Sequence, residues 1–147
     1  MKLNKAGADL IKSFEGLRLT AYKCSAAKDT IGYGNTFYED GTSVKPGDKI
    51  TKERAEVLFT IIANEFSAKV APLVKSKINE NQFGALVSFA YNAGVGNLQK
   101  STLLKKVNAN PADPSIRDEF MKWDKAGGKQ LAGLTRRRKA EADLYFS

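Results

Sequence analysis

The segment FEGLRLTAYKCSAAKDTIGYGN, residues 14–35, decides the fold of the N-terminal part of this chain. It follows an amphipathic stretch over residues 3–14, for which Asn4 is a suitable N-cap and after which Gly16 can end the helix. Over residues 17–44, β-branched and aromatic residues alternate between the turn sequences GYGN and EDGTSVKPGD. These patterns predict a helix followed by a small antiparallel sheet.

The remaining sequence has helical periodicity. Thr51 is placed to cap a helix of about twenty residues, roughly 30 Å long, which Pro72 would end or kink. The pair Asn79 and Gln82 has the spacing of a capping box at the start of the next helix. We expect Asp113, followed by proline, to cap a later helix that also contains the tryptophan of the chain.

Together these elements predict an α+β fold that is mostly helical. A small lobe of about residues 15–50 contains the sheet, a connecting helix covers about residues 51–72, and a helical lobe covers about residues 73–147 together with the N-terminal helix. We expect one domain over residues 1–147, with a groove between its two lobes.

The composition excludes several kinds of catalytic site. The 147 residues include no histidine, which rules out serine–histidine and cysteine–histidine catalysis and histidine metal sites. A single cysteine, Cys24, excludes an internal disulfide and a multi-thiolate zinc site. Any chemistry must therefore use carboxylates, the thiol, hydroxyl groups or the backbone.

The charge and the N-terminal sequence bear on partners and location. The net charge is +8, and most of the excess lies after residue 50, so the surface should attract polyanions such as nucleic acid, anionic lipid or the bacterial envelope. The start, MKLNKAGADLIKSFEG, lacks the continuous apolar region of a signal peptide. The longest apolar run, VLFTIIA, is too short to span a bilayer. We therefore expect a soluble product made in the cytoplasm.

Three residues of the opening segment are candidates for chemistry. Glu15 ends the first helix beside apolar neighbours, where the negative end of the helix dipole favours the protonated carboxyl that a general acid needs. Cys24 lies between Lys23 and Lys28, which favour the thiolate if the side chain is exposed. Thr30 begins TIGYGN, in which the glycines allow close approach of a ligand or simply form a tight hairpin. Each residue taken alone is compatible with a purely structural role.

The combination is more specific than its members. Glutamate, eight residues, cysteine, five residues, threonine and then IGYG resembles the active-site segment of the phage-type lysozymes, glycoside hydrolase family 24, whose first-lobe signature matches EGLRLTAY at residues 15–22. The segments QFGALVSFAYNAGVGNLQKSTLLKKVN at 82–108 and FMKWDKAGGKQLAGLTRRRKAE at 120–141 are similar to the helical core and the closing segment of that family. The resemblance covers essentially the whole chain and implies an endolysin with a lysozyme-like fold.

The resemblance implies a function without metal or cofactor. The family hydrolyses the β-1,4 bond between N-acetylmuramic acid and N-acetylglucosamine in peptidoglycan, and it thereby lyses the host cell. By that correspondence Glu15 protonates the leaving oxygen and Thr30 holds the attacking water. Cys24 stands where the family more often has aspartate, so it must be substantially thiolate to act as base, nucleophile or electrostatic stabiliser.

Asp29 is the competing carboxylate for that third role, since it adjoins Thr30 in the sequence. Alternation along a strand would point Asp29 and Thr30 to opposite faces, which favours Cys24.

The resemblance also assigns substrate contacts. From the sheet side these are Tyr33 and Asn35, the latter replacing a histidine of some members. From the helical lobe they are Tyr91, Asn92 and Thr102, although Tyr91 also fits the apolar face of its helix. An arginine of the run RRR, assigned to Arg137 with a register uncertain by one, would orient Glu15. A solvated basic face accounts for Arg136 and Lys139.

Three other functions remain open. A lytic transglycosylase would need Glu15 alone, and a wall-binding module would need no catalysis. A nucleic-acid-binding protein would use the positive charge, but the basic residues are dispersed and form no known motif. For the endolysin we expect a monomer that binds peptidoglycan, binds no nucleic acid and does not insert stably into the membrane. Without an export signal it would reach the cell wall through a lesion made by a separate holin.

Overall fold

The computed structural model describes residues 1–24 and 26–147 and confirms the α+β fold. Its elements, in chain order, are α1 (Lys5–Glu15), β1 (Arg18–Lys23), β2 (Asp29–Gly32), α2 (Lys52–Val70), a 3₁₀ turn (Ala71–Leu73), α3 (Glu80–Ala93), α4 (Val95–Lys100), α5 (Thr102–Ala109), α6 (Ile116–Met121), β3 (Lys125–Ala126), β4 (Lys129–Gln130) and α7 (Ala132–Tyr145). None of the helices in the described part of the chain is long and apolar enough to cross a membrane.

The chain divides into two compact units. The first, Lys12–Glu65, contains the β1–β2 hairpin and is called the sheet unit below. The second combines Met1–Ile11 with Phe66–Ser147 and is called the helical unit. Helices α1 and α2 each contribute residues to both units.

The sheet unit is built around an antiparallel hairpin. Tyr22 of β1 pairs with Thr30 of β2, and the register changes between Arg18 and Tyr22. On its other side, β1 is hydrogen-bonded to residues 48–50 through Ala21 N to Asp48 O, 2.8 Å, and Ile50 N to Leu19 O, 2.8 Å. The apolar side chains buried in this unit are Ile31, Tyr33, Val44, Ile50, Ala55, Leu58, Phe59 and Ala63.

Helix α3 forms the centre of the helical unit. Its residues from Phe83 to Ala90 are all buried, so it is apolar around most of its circumference, as expected of a central helix. Phe89 lies edge-to-face with Phe120 at 6.1 Å and with Trp123 at 5.4 Å. Aromatic pairs at these distances stabilise the packing of α3 against α6 and the residues that follow it.

The sequence predicted most of the helix starts correctly. Gly7 N donates to Asn4 Oδ1 at 3.0 Å, Arg54 N donates to Thr51 Oγ1 at 3.1 Å, and Asn79 forms the expected capping box with Gln82. Helix α2 ends at Val70, two residues before Pro72, because proline lacks the amide that would continue the hydrogen-bond ladder.

Two expectations for the C-terminal part were wrong. Asp113 Oδ1 accepts hydrogen bonds from the amide and the hydroxyl of Ser115, but the residues that follow first form a turn, with Ile116 N donating to Asp113 O at 3.1 Å, and α6 begins only at Ile116 with Ser115 as its N-cap. Helix α6 also ends at Met121, so Trp123 lies outside it. After α6, Gly127 and Gly128, both with positive φ, form the turn of the β3–β4 hairpin.

Two glycines let α1 and α3 approach closely within the helical unit. A Cβ added to Gly84 would lie 3.1 Å from the Cα of Gly7, so backbone atoms rather than a movable side chain occupy the space. We expect Gly84→Ala to destabilise the protein by about 1–3 kcal/mol through overpacking. The free energy of unfolding from urea denaturation measures this change.

Gly96 provides the matched control. It lies in helix α4, and nothing stands within 4 Å of the position of its Cβ. Gly96→Ala should therefore stabilise by up to about 0.5–1 kcal/mol through helix propensity alone. Equal effects of the two alanine substitutions would show that the contact between Gly7 and Gly84 is not tight.

Candidate active site

Glu15 is the last residue of α1 and is partly buried. The helix ends there because Gly16 adopts φ +73°, a left-handed conformation that glycine tolerates, while its amide donates to Lys12 O at 3.0 Å. The apolar neighbours Phe14 and Leu19 are 37% and 40% exposed. The carboxyl group is thus presented at a helix end with exposed apolar surface nearby.

Cys24 begins the loop that joins β1 and β2. Its amide donates to Lys28 O at 3.0 Å, and its carbonyl accepts from the amide of Ala27 at 2.8 Å. Ala27 has φ +60°, an uncommon conformation for a residue with a Cβ. These bonds close a short loop that places the Cys24 side chain, which is partly exposed, above the start of β2.

Polar groups of the loop influence the ionisation of the Cys24 thiol. The backbone amide of Lys28 contributes most, followed by the hydroxyl of Thr30 and the backbone amide of Ala26, and together these donors lower the pKa of the Cys24 thiol. Donors aimed at a sulfur stabilise its charged form, because the thiolate accepts hydrogen bonds far better than the thiol does. The direction of this shift favours the thiolate.

The flanking lysines act differently from our expectation. Lys23 forms an ion pair with Asp29, 3.0 Å from Nζ to Oδ1, across the hairpin. The contribution of Lys28 comes first from its backbone amide. Asp29, the competing carboxylate, is thus engaged with Lys23.

Thr30 lies between the loop and the buried part of β2. Thr30 is only 3% exposed, and its hydroxyl donates to Lys28 O at 3.0 Å. A threonine hydroxyl has one hydrogen to donate, and here the backbone of the loop accepts it. Thr30 therefore fixes the end of the loop against the start of β2.

The two expected sugar contacts of the sheet unit are buried. Tyr33 is 7% exposed and its hydroxyl donates to Glu56 Oε1 at 3.0 Å, and burial, then this carboxylate, raises the pKa of Tyr33. Asn35 is 5% exposed, and its Nδ2 donates to Leu58 O at 3.2 Å. Its Oδ1 has no hydrogen-bond partner among the described residues. Direct contact of either side chain with a sugar would need local opening.

The expected contacts of the helical unit are more accessible. Asn92 and Thr102 are exposed, and Tyr91 is partly exposed with its ring 5.0 Å from that of Phe66. The Oδ1 of Asn92 accepts a hydrogen bond from Arg138 Nη2. This hydrogen bond fixes the Asn92 side chain, although the residue as a whole is exposed to solvent.

Arg137 belongs to a buried charged network in α7. It is 3% exposed, and its Nε contacts Glu141 Oε2 at 3.2 Å while its Nη2 lies 3.2 Å from Ser88 O. Arg138 is 1% exposed and binds Glu141 Oε1 through Nη1 and Trp123 O through Nε, the latter at 2.9 Å. The Ser88 hydroxyl donates to Glu141 Oε2 at 2.6 Å. The Glu141 carboxylate therefore forms ion pairs with the guanidinium groups of both Arg137 and Arg138.

Sequence reasoning missed this network. Arg136 and Lys139 are exposed, as expected of a solvated basic face, but Arg138 and Glu141 are fully buried. The available signal was spacing: a glutamate three and four residues after two arginines lies on the same side of a helix as both of them.

A helix that ends in a glutamate, a hairpin that presents Cys24 beside Thr30 and a mostly helical remainder together define a lysozyme-like α+β protein. Solved structures agree. An endolysin from Escherichia coli O157:H7 phage FAHEc1 superposes with a TM-score of 0.90 at 40% identity and covers 100% of this chain and 94% of that one. P22 lysozyme superposes with a TM-score of 0.87 at 33% identity, covering 100% and 99%.

The chain belongs to the phage lysozyme family, whose sequence profile matches residues 12–141. It is 39% identical to an endolysin of Acyrthosiphon pisum secondary endosymbiont phage 1, over 100% of this chain and 99% of that one. It is 44% identical to the endolysin of Bacillus phage B103 over its whole length, but it spans only 55% of that relative. The chain thus corresponds to about half of the Bacillus phage endolysins and to nearly all of the shorter relative.

The polar surroundings of the thiol predict how Cys24 reacts. Because the lowered pKa keeps the thiolate populated to lower pH than in an ordinary cysteine, alkylation by iodoacetamide should have its midpoint below about pH 8.5. Thr30→Val removes a hydroxyl that contributes to the lowered pKa, so its midpoint should lie at higher pH. Thr60→Val, on the exposed face of α2, serves as the control and should react like the wild type. Identical midpoints for all three proteins would contradict the assignment.

Proposed function

We propose that this protein is a muramidase of the endolysin type, which hydrolyses the β-1,4 bond between N-acetylmuramic acid and N-acetylglucosamine in peptidoglycan. The observation that carries the proposal is the placement of two of the three residues that the family pattern assigns to catalysis: Cys24 opens the loop after β1, and Thr30 lies in β2 directly after that loop, where it pairs with Tyr22. Family membership supports the substrate class, and Glu15 occupies the third position at the end of α1.

In the proposed reaction the carboxyl of Glu15 gives its proton to the glycosidic oxygen while the bond from that oxygen to the sugar C1 breaks. Positive charge develops on the sugar ring, and the Cys24 thiolate supplies the negative charge that stabilises it. A water held at Thr30 adds to C1 and passes a proton to the Cys24 thiolate or to the Glu15 carboxylate, according to the role of the thiolate, so that the products are two shorter glycan chains.

Besides stabilising the charge, the thiolate is compatible with two further chemical roles. As a general base it would accept the proton of the water, and the configuration at C1 would invert. As a nucleophile it would bond to C1 as the glycosidic bond breaks, and a water that gives its proton to the Glu15 carboxylate would then break the bond from C1 to sulfur, so that the configuration would be retained. The anomeric configuration of the product distinguishes these roles.

The substrate contacts are part of the proposal. Asn92 and Thr102 have the exposure that sugar contacts need, and Tyr91 offers a partly exposed ring. Tyr33 and Asn35 are supported only by the resemblance, since their described bonds are internal. The orienting role of Arg137 toward Glu15 stays a prediction, which is consistent with a guanidinium that Glu141 and Ser88 hold in one place.

The cellular setting is also proposed. We infer that a monomer made in the host cytoplasm acts on the cell wall after a separate holin opens the membrane. The net charge of +8 would favour residence near anionic envelope polymers.

Glu15→Gln tests the central step. Because an amide cannot donate the carboxyl proton, this variant should release reducing ends from purified peptidoglycan at least about 100-fold more slowly than the wild type. Mass analysis of the wild-type products should find reducing ends. Anhydromuramic ends would instead indicate a transglycosylase, and binding without release of fragments would indicate a wall-binding module.

Substitution of Cys24 tests the need for an ionised group. Cys24→Ser should lose nearly all activity, because a serine hydroxyl does not ionise in this pH range, and Cys24→Asp should remain active. Aspartate ionises near pH 3.9, well below a thiol, so the acid limb of the activity profile should move to lower pH in Cys24→Asp. A fully active Cys24→Ser protein would show that Cys24 is not part of the mechanism.

A further inference from the structure

Four side chains of the sheet unit form a compact polar and aromatic group outside the assigned catalytic residues. These are Lys12 of α1, Tyr33 in the turn after β2, and Glu56 and Phe59 of α2, called the Lys12 cluster below. Neither Lys12 nor Glu56 belongs to the family's catalytic pattern, and Tyr33 was expected to contact the sugar.

The contacts within the Lys12 cluster are mutual. Lys12 Nζ forms an ion pair with Glu56 Oε2, and it lies 4.8 Å from the ring centre of Phe59 and 5.6 Å from that of Tyr33. Glu56 Oε1 accepts the Tyr33 hydroxyl at 3.0 Å, and the rings of Tyr33 and Phe59 meet edge-to-face at 5.5 Å. Each member therefore touches two or more of the others.

The Lys12 cluster is more than a surface ion pair. The Lys12 side chain is 25% exposed and that of Glu56 is 39% exposed, so the pair is partly removed from water, and the lysine also has two aromatic rings beside it. The hydrogen bond from Lys12 is the largest of the effects that lower the pKa of the Glu56 carboxyl. The ion pair is thus the expected state at neutral pH.

The cluster connects the segments that carry the proposed catalytic groups. Lys12 and Glu15 stand three residues apart in the last turn of α1, and Gly16 N closes that turn on Lys12 O at 3.0 Å. Tyr33 follows Thr30 by three residues, at the end of the strand that positions the Cys24 partner. Lys12 and Tyr33 both contact the same turn of α2, at Glu56 and Phe59.

The end of α1 needs such a tie. After Glu15 the chain leaves the helix through Gly16, and a helix end of this kind frays easily unless side chains fix it. The Lys12 side chain fixes the last turn against α2 from inside that turn. A catalytic acid displaced by about 1 Å can cost about 100-fold in rate.

We propose that Lys12 and Glu56 are positioning residues, which hold the last turn of α1 so that the Glu15 carboxyl stands in fixed relation to Thr30 and Cys24. The inference rests on the proposed function for the reaction it serves. It also assigns Tyr33 to the support of the site, through Glu56, in place of a direct contact with sugar.

The test measures kcat and KM for release of reducing ends from soluble peptidoglycan fragments by Lys12→Met and Glu56→Gln. Both variants keep the size of the side chain and remove its charge. We expect kcat to fall at least about tenfold while KM changes less than about twofold, because the acid is displaced but the sugar contacts remain. Lys12→Arg, which keeps a cation beside Glu56, should retain at least about half of the wild-type kcat.

Glu39→Gln is the matched control. It breaks the ion pair of Glu39 with Arg54, 2.6 Å, which lies in the same unit, involves α2 and has side chains 37% and 44% exposed. It touches neither α1 nor β2 in the described contacts, so kcat should stay within about twofold of the wild type. The pH midpoint of Cys24 alkylation provides a second readout and should be unchanged in Lys12→Met, because the donors to the sulfur lie in the 24–30 segment.

The outcomes separate the two proposals. A wild-type protein that releases no reducing ends defeats the proposed function itself. An active wild type whose Lys12→Met and Glu56→Gln variants keep kcat, or lose no more than Glu39→Gln loses, overturns the positioning role. A rise in KM at constant kcat, or a Cys24 midpoint that shifts together with kcat, also overturns it, because the effect would then be on substrate binding or on the whole unit. If Lys12→Met does not fold, Glu56→Gln decides on the same criteria.

Discussion

The polar surroundings that lower the pKa of the Cys24 thiol are the constraint on which the proposed site depends. In a chain without histidine, the position that the family more often fills with a carboxylate holds a group that is neutral unless its surroundings favour the charge. The backbone amides of Lys28 and Ala26 and the hydroxyl of Thr30 provide those surroundings. They converge because Ala27 turns the loop and because the strand register sets Thr30 opposite Tyr22. The electrostatic environment of Cys24 therefore depends on the geometry of the hairpin.

The two units stabilise their polar groups in different ways. The sheet unit contains partly exposed ion pairs such as Lys12 with Glu56, whose side chains keep some contact with water. The helical unit buries Glu141 completely between Arg137 and Arg138 and adds a hydrogen bond from Ser88. A buried carboxylate of this kind tolerates the loss of its partners poorly, because an uncompensated charge would remain in the interior. One arrangement suits adjustable loops, and the other suits a fixed scaffold.

How well the sequence predicted each feature depends on how local its cause is. Asn4 and Thr51 were correctly identified as caps because the bonds they accept lie within three residues. The prediction that Asp113 caps a helix was wrong, because its carboxylate accepts hydrogen bonds from Ser115 in a turn that precedes α6. The motif brought Glu15, Cys24 and Thr30 to attention, but the donors to the sulfur include backbone amides that no side-chain pattern reveals. The burial of Arg138 and the contacts of Lys12 depend on tertiary packing. Periodicity in the sequence shows which face of a helix is buried, but not which side chains meet there.

A cysteine in place of an aspartate has a chemical consequence that is unrelated to folding. A surface thiolate is the form of cysteine that peroxides attack, giving a sulfenic acid. With one cysteine in 147 residues, no second thiol of the chain can capture that product as an internal disulfide. Restoration must come from small thiols in the surroundings, and prolonged exposure to oxidant leads to the irreversible sulfinic and sulfonic acids. The loop that activates Cys24 thus makes the protein sensitive to redox conditions, to which an aspartate at the same position would be indifferent.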